Sequence, residues 1–442
     1  MTKTLFDEMR SEKNLFAAWR HVKRSALKSA NSEIAGQAAE FEHRHQTHLK
    51  TIGRQLREDR FLFDGVTGVL KDKKSRLAQN KDPRPIAVAS LRNRVVQRAI
   101  LQVLQPRRAR DTRDIDTRYE TMRDERLGKI NQVNVSKYGV GGLIKPYGGV
   151  RPAIELISEA VNNGSRHFFQ SDIKSFFTKI PTDKVVDFVQ GQTGDEKLSE
   201  LFARGLEVNL ANKDELATYA KLFPSGGIGV AQGSSLSAFA GNVLLYDLDQ
   251  ELNAGTVVAV RYIDDILMVA PGREELEAAI SIAKNRLEAF GFQLYKPSPG
   301  SDKAAEGECG PQSINFLGCM LQPKRCVPSA KSVDRLNSDV SDLLSGSKAA
   351  IINTLRHGKS FPAGQAESFV LQAIGKKVYG WQKSFAFCND AAIFKKVDED
   401  IQKKVVDYRN WVMKNTKSAT PQAKMQVFGI PQMAQMSSAG MP

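Results

Sequence analysis

The sequence predicts an α+β chain in which helices hold most of the residues and a few short strands hold the acidic chemistry. Three observations lead there. Residues 1–65 place Leu15, Phe16, Trp19 and Val22 at helical spacing, and AVRYIDDILMVA, Ala259 to Ala270, reads as two apolar strands around an Asp-Asp pair. From Pro328 to about Asn415 the pattern is helical again. Composition constrains the partner more than the fold. Lys+Arg 64 against Asp+Glu 49 gives a net charge of +15, a surface field that favours a polyanion, so nucleic acid is the expected partner. The chain has no apolar run of about 18 residues, and no membrane association is expected. The start MTKTLFDEMRSEK lacks a signal-peptide core, which predicts a cytoplasmic location.

In chain order, EHRHQTHL sets His43, His45 and His48 partly on one helix face, open to a metal reading or to plain solvated histidines. LKDKKSRLAQNKDPRPIAVASLRNRVVQRAILQVLQP joins a basic loop to a strand and then an amphipathic helix, with Val95, Val96, Ile100 and Leu104 inward. Its Arg92, Arg94 and Arg98 fit a solvated face. RRARDTRDIDTRYETMRDERLGK mixes charges three or four apart and reads as an exposed salt-bridged helix, with RNA contact as the alternative. SKYGVGGLIKPYGGVRPAIE reads as turns with close backbone approach. HFFQSDIKSFFTKI predicts a strand ending near Asp172 and a helix just after. SGGIGVAQGSSLS is a glycine-rich turn before the helix AFAGNVLLYDLDQEL. REELEAAISIAKNRLEAFGF is a helix and INFLGCML is strand-like. Tyr379 and Trp381 fit helical core or base stacking. Cys309, Cys319, Cys326 and Cys388 form no C-x-x-C pair and read as reduced structural thiols.

Two adjacent carboxylates in an apolar hairpin are costly unless a cation or an exposed turn relieves them. Asp264 and Asp265 at the tip, joined by Asp172 from another strand, would supply the hard oxygen ligands of a two-metal site.

The motifs, in this order, resemble those of reverse transcriptases, specifically the bacterial lineage of group II intron, retron and defence-associated enzymes. RPIAVASLRNRVVQRAI and YGVGGLIKPYGGVRPAI resemble the two fingers motifs, and SDIKSFF the first catalytic motif. AQGSSLS resembles the glutamine-glycine motif, YIDD the signature, and INFLG the primer grip. The similarity runs from about Leu56 to Leu321, most like a stand-alone defence-associated enzyme.

The resemblance implies a right-hand polymerase. Residues 1–65 would form an N-terminal helical region, 66–165 fingers, 166–322 a palm with a small antiparallel sheet, 323–415 a helical thumb and 416–442 a flexible tail. Asp172, Asp264 and Asp265 are implied as catalytic metal ligands for Mg²⁺, with Mn²⁺ as substitute. Phe177 is implied as a steric gate against the ribose 2′-hydroxyl. Arg84, with Lys71 or Lys74, would meet the triphosphate, while Gln232 and Gly233 lie by the nucleotide. Tyr262 and the primer-grip residues Phe316, Leu317 and Gly318 would hold primer and template. Ser234 replaces the family's usual proline, and the lysine that would serve as general acid aligns as Lys296 or Lys303. The implied partners are an RNA template, a structured non-coding RNA in antiphage defence, with deoxynucleotides and the DNA product. A homo-oligomer is not readable from sequence. The alternatives are a maturase-like RNA-binding protein and a template-independent or protein-primed DNA polymerase.

Overall fold

The computed structural model describes residues 3–29, 31–112, 117–357 and 360–431. It divides into two compact units, one ending at Glu308 and one beginning at Cys309. Strands Ile314–Phe316 and Cys319–Gln322 belong to the second unit.

The first unit is built around a four-stranded antiparallel sheet. Its order is Val258–Tyr262, Asp265–Ala270, His167–Asp172, Ala304–Glu308. Helices Val150–Asn162, Ser237–Leu252 and Arg273–Glu288 pack on these strands. Ile266 through Ala270 are all buried, which explains why this strand reads as an unbroken apolar run. Helices Glu12–Ala26, Ser32–His43 and His45–Arg57 fill the N-terminal region as predicted. Trp19 is fully buried there, and its Nε1 donates to Glu42 Oε2 at 2.6 Å.

Helix Leu91–Leu104 follows an N-cap, Ser90, whose hydroxyl accepts from Asn93 N. It buries Val95, Val96, Ile100 and Leu104 as expected. Two of its arginines are tied to neighbouring elements on the helix's outer side: Arg92 pairs with Asp64 at 2.7 Å, and Arg94 donates to Ser25 Oγ at 3.1 Å. Ahead of this helix, strands Thr67–Lys71 and Arg84–Val88 form an antiparallel hairpin over a small core of Val66, Ala87, Leu216, Phe223 and Ala231.

Four local expectations are corrected. The charged stretch after Pro106 is a hairpin, Arg107–Ala109 against Tyr119–Thr121, and not a helix. Arg107 stacks on Tyr119 at 4.1 Å and Arg108 bonds Glu120 across the strands, contacts that a single helix could not make. The residues at 113–116 lie outside the described set. The glycine-rich SKYGVGGLIKPYGGVRPAIE runs directly into helix Val150–Asn162, so its last residues are regular structure. His45 and His48 are packed rather than solvated, His48 stacking on Phe41 at 4.6 Å. INFLGCML is two strands, Phe316 pairing with Cys319 across Leu317 (φ 49°) and Gly318 (φ 80°), the left-handed pair of a tight hairpin turn.

In the second unit this hairpin continues into Arg325–Pro328, and helices Ala330–His357, Glu367–Phe385 and Ala391–Thr416 pack around Val340, Ile351, Val370, Tyr408 and Val412. Trp381 packs against this core, and Tyr379 is exposed. Where a tail was expected from 416, Thr420 caps a helix, Pro421–Phe428, that buries Val427; the end of the tail, 432–442, lies outside the described residues. No described helix is long and apolar enough to cross a membrane.

Candidate active site

Strand His167–Asp172 ends on Asp172, and the antiparallel register sets it opposite Asp265. Asp265 also pairs with Tyr262 on the other side, so Ile263 and Asp264 form a two-residue turn. Asp264 O accepts from Ile173 N at 2.7 Å, which ties the turn to the residue after Asp172. The three carboxylates expected to act together are brought to one end of the sheet.

The turn carries strain, because Ile263 has φ 65°, a conformation that β-branched residues avoid. Arg261 holds it. This guanidinium is 1% exposed and donates Nη1 to Ile263 O at 2.9 Å. Its Nε and Nη2 grip the Asp249 carboxylate at 2.9 and 2.6 Å, and Nη1 also reaches Asn242 Oδ1 at 3.3 Å. Asp249 and Asn242 both lie on helix Ser237–Leu252.

Space around the pair is supplied by glycines. A Cβ on Gly139 would lie 2.3 Å from Asp249 Oδ2, and one on Gly141 would lie 2.6 Å from Ile263. The same segment adds backbone bonds to the strand, Arg261 N to Tyr138 O at 2.8 Å and Val140 N to Arg261 O at 2.9 Å. Arg261 and Asp249 were not singled out from the sequence. The available signal was an arginine inside an otherwise apolar strand, which demands a buried acid.

Electrostatics around the aspartates are unbalanced. Burial first, and the Asp172 charge second, push the Asp265 carboxyl up to about 7, against a weak opposing bond from Gln170 Nε2 at 3.3 Å. The same two causes raise Asp264. Lys303 places its ammonium on Asp172 and lends its carbonyl to Asp172 N at 2.9 Å. Burial opposes the Lys303 charge, but the bond and charge of Asp172 outweigh it and raise its pKa. Lys296 and Lys303 are both exposed, and it is Lys303 that reaches Asp172. Asp264 and Asp265, whose ionisation is opposed by burial and by Asp172, are hard oxygen donors of the kind a divalent cation takes.

Phe177, Gln232, Gly233 and Arg84 lie on neighbouring backbone. Phe177, half-buried on the short helix Phe176–Lys179, accepts at its carbonyl from Val230 N at 2.7 Å, so the glycine-rich turn lies directly on it. Gly229, at φ 86°, would drive a Cβ into the Thr178 backbone at 2.6 Å. Gln232 O accepts from Ala87 N at 3.2 Å, joining this turn to the strand that begins at Arg84. Arg84 and Lys71 are register partners, both exposed; Lys74 lies on the helix Lys73–Leu77. Ser234 donates its N–H to Ala231 O at 3.2 Å, a bond proline cannot make, and its Oγ accepts from Leu236 N. Tyr262 is half-buried at the strand end. Phe316, Leu317 and Gly318 belong to the second unit, where Gly318 O accepts from Ser329 N at 2.8 Å.

A family model described as Reverse transcriptase (RNA-dependent DNA polymerase) matches residues 71–321. No curated protein sequence matches. Among solved structures, a Cas6-RT-Cas1–Cas2 complex chain is similar at 18% identity and TM-score 0.35, over 65% of this chain and 43% of that one. Apo telomerase from Candida tropicalis gives 12% and 0.43, over 83% and 68%. Telomerase from Candida albicans with a TWJ fragment of telomeric RNA gives 12% and 0.40, over 86% and 65%. This chain spans under half of the first of these and about two thirds of the telomerases.

Two outcomes follow from the geometry. Arg261→Met strands a buried carboxylate and should cost about 3–5 kcal/mol, whereas Arg261→Met with Asp249→Leu should recover most of it. Urea unfolding of both variants checks this; equal losses would remove the pair from its structural role. Asp265, raised from 3.8 to about 7, holds its proton more tightly folded than unfolded. Its stabilising contribution is full below about pH 4 and is lost as pH rises through about 7. The Tm of EDTA-treated protein relative to Asp265→Asn should therefore fall between pH 5 and pH 8, by scanning calorimetry; a flat difference contradicts it.

Proposed function

Because this chain belongs to the reverse transcriptase (RNA-dependent DNA polymerase) family, we propose that it is an RNA-directed DNA polymerase, a nucleotidyltransferase that extends a primer 3′-hydroxyl with deoxynucleotides. The observation that carries the proposal is the register pairing of Asp172 with Asp265 beside the Arg261-held turn. An RNA-folding module has no use for carboxylates gathered where a phosphate backbone would pass, which weighs against the maturase-like reading.

In this reading Asp172, Asp264 and Asp265 hold Mg²⁺, with Mn²⁺ as substitute. The bound cations would stabilise charge on the attacking and leaving oxygens. The chain's own residues supply position. Lys303, kept protonated by Asp172, stands where it can donate to a departing pyrophosphate, and we assign it that role over Lys296. Phe177, pinned through its carbonyl to Val230, forms the floor that a ribose 2′-hydroxyl would strike. Arg84 offers a planar fork for triphosphate oxygens, with Lys71 across the strand pair as second cation. Gln232 and Gly233 lie beside that strand, where glycine at φ 110° leaves the backbone open to a nucleotide. Tyr262 would meet the primer end, and Phe316, Leu317 and Gly318 the primer strand. Residues 66–165, 166–322 and 323–415 are proposed as fingers, palm and thumb.

The charge of +15 supports a nucleic-acid template gripped through its phosphates. A structured non-coding RNA as that template, and antiphage defence as its setting, rest on the resemblance of the motifs alone.

The deciding experiment purifies the protein with its bound nucleic acid, sequences that RNA and adds Mg²⁺ with labelled deoxynucleotides. Labelled DNA complementary to the RNA is expected, and it should vanish in Asp264→Ala/Asp265→Ala while RNA affinity stays within about twofold. Synthesis that survives the double substitution would remove the catalytic assignment; DNA unrelated to the RNA would favour template-independent synthesis. Phe177→Ala should raise ribonucleotide incorporation by about tenfold or more in single-turnover assays. An unchanged preference would sink the gate assignment.

A further inference from the structure

Three cysteines far apart in sequence meet inside the second unit. Cys319 opens strand Cys319–Gln322, and Cys326 lies in Arg325–Pro328 opposite Leu321. Side chains alternate along a strand, so Cys319 and Leu321 share a face, and Cys326 joins them as a diagonal neighbour of Cys319. Cys388 comes from the turn between helices Glu367–Phe385 and Ala391–Thr416. The three sulfurs all lie within 4.8 Å of one another, with Cys319 and Cys326 buried and Cys388 half-buried. Each of the three offers one sulfur, and such a cluster is close enough to share an ion.

The turn is clasped to the hairpin at several points. Asn389 N donates to Cys326 O at 3.0 Å, Cys326 N donates to Asn389 Oδ1 at 2.9 Å, and Asn389 Nδ2 donates to Lys324 O at 3.0 Å. Arg325 adds an ion pair to Asp390 at 2.9 Å. These bonds fix the backbone on both sides of the cluster, and the sulfurs meet with a hydrogen bond between Cys326 and Cys388 but no disulfide.

The spacing argues for a shared ion. Cys326 Sγ and Cys388 Sγ are 3.6 Å apart, far beyond the roughly 2.05 Å of a disulfide. A tetrahedron of sulfurs about 2.3 Å from Zn²⁺ has edges of roughly 3.8 Å, close to that separation. Thiolates select soft or borderline cations over Mg²⁺.

We propose that Cys319, Cys326 and Cys388 bind one Zn²⁺ as a three-thiolate site that staples the hairpin to the turn between the two helices, with water as the fourth ligand. Binding replaces three S–H bonds with three Zn–S bonds and releases the three protons to solvent, with no redox change. The site is separate from the carboxylates and serves folding. The four cysteines are free, in keeping with the reading of reduced thiols, and the proposal adds a ligand role for three of them.

The full chain, purified without a metal-affinity step, should carry about one zinc by plasma mass spectrometry. Replacing it with Co²⁺ alone should give a thiolate-to-cobalt charge-transfer band and the visible bands of tetrahedral cobalt. Cys326→Ser/Cys388→Ser should lower bound zinc at least tenfold. Zinc below about a tenth of an equivalent, no cobalt spectrum, and free reaction of the thiols with a disulfide reagent would overturn the proposal. An intact mass two daltons low, marking a Cys326–Cys388 disulfide, would overturn it in favour of a redox pair. The cobalt spectrum of the unmutated chain decides the matter even where the double variant does not fold.

Discussion

The buried ion pair between Arg261 and Asp249 is the constraint on which the candidate site depends. A guanidinium 1% exposed is tolerable only when its donors are taken up, and here they are divided among a carboxylate, an amide oxygen and the carbonyl of Ile263. That last bond links packing to chemistry. It holds Ile263 at a positive φ, and so sets where the chain turns and where Asp264 begins. The glycines at 139 and 141 follow from the same pair, since a Cβ at either would collide with the pair or with the turn.

The aspartates illustrate the opposite case, charge left without adequate compensation. Asp265 and Asp264 are destabilised as anions by burial and by Asp172, while Lys303 bonds Asp172 directly and relieves the other two only as a lesser cause. A region kept solely for stability would not hold such an imbalance, because a neutral side chain in place of either acid would relieve it. Sites that bind cations or do acid-base chemistry hold it as a matter of course. The apolar strand around the turn, covered by helices on its faces, keeps water from screening the charges and makes the imbalance larger.

The second unit solves a different problem. Its strands are short, three or four residues each, and a hairpin of that size has little core of its own. It is completed by the helices, through Asn389, Asp390 and the sulfur cluster on one side and through Ser329 and Ser332 bonding Gly318 on the other. The helix Pro421–Phe428 adds Val427 to the same bundle, a contact that the low-complexity look of the C-terminal stretch concealed.

The sequence by itself determined the order of the motifs, the α+β class, the strand around Asp-Asp and the acidic trio, because these follow from local periodicity and from residue types at short spacing. The charged stretch after Pro106 was misread for the same reason: spacing of three or four suits a helix, but cross-strand pairs between Arg107 and Tyr119 outweighed it. Tertiary structure alone decided that Lys303 rather than Lys296 reaches Asp172, that Arg261 needs Asp249, and that Cys319, Cys326 and Cys388 converge. Asp172 and Lys303 stand 131 positions apart, and Cys326 and Cys388 stand 62 apart. Pairings over such distances are set by which surfaces the whole core brings together, and no local pattern in a single chain carries that information.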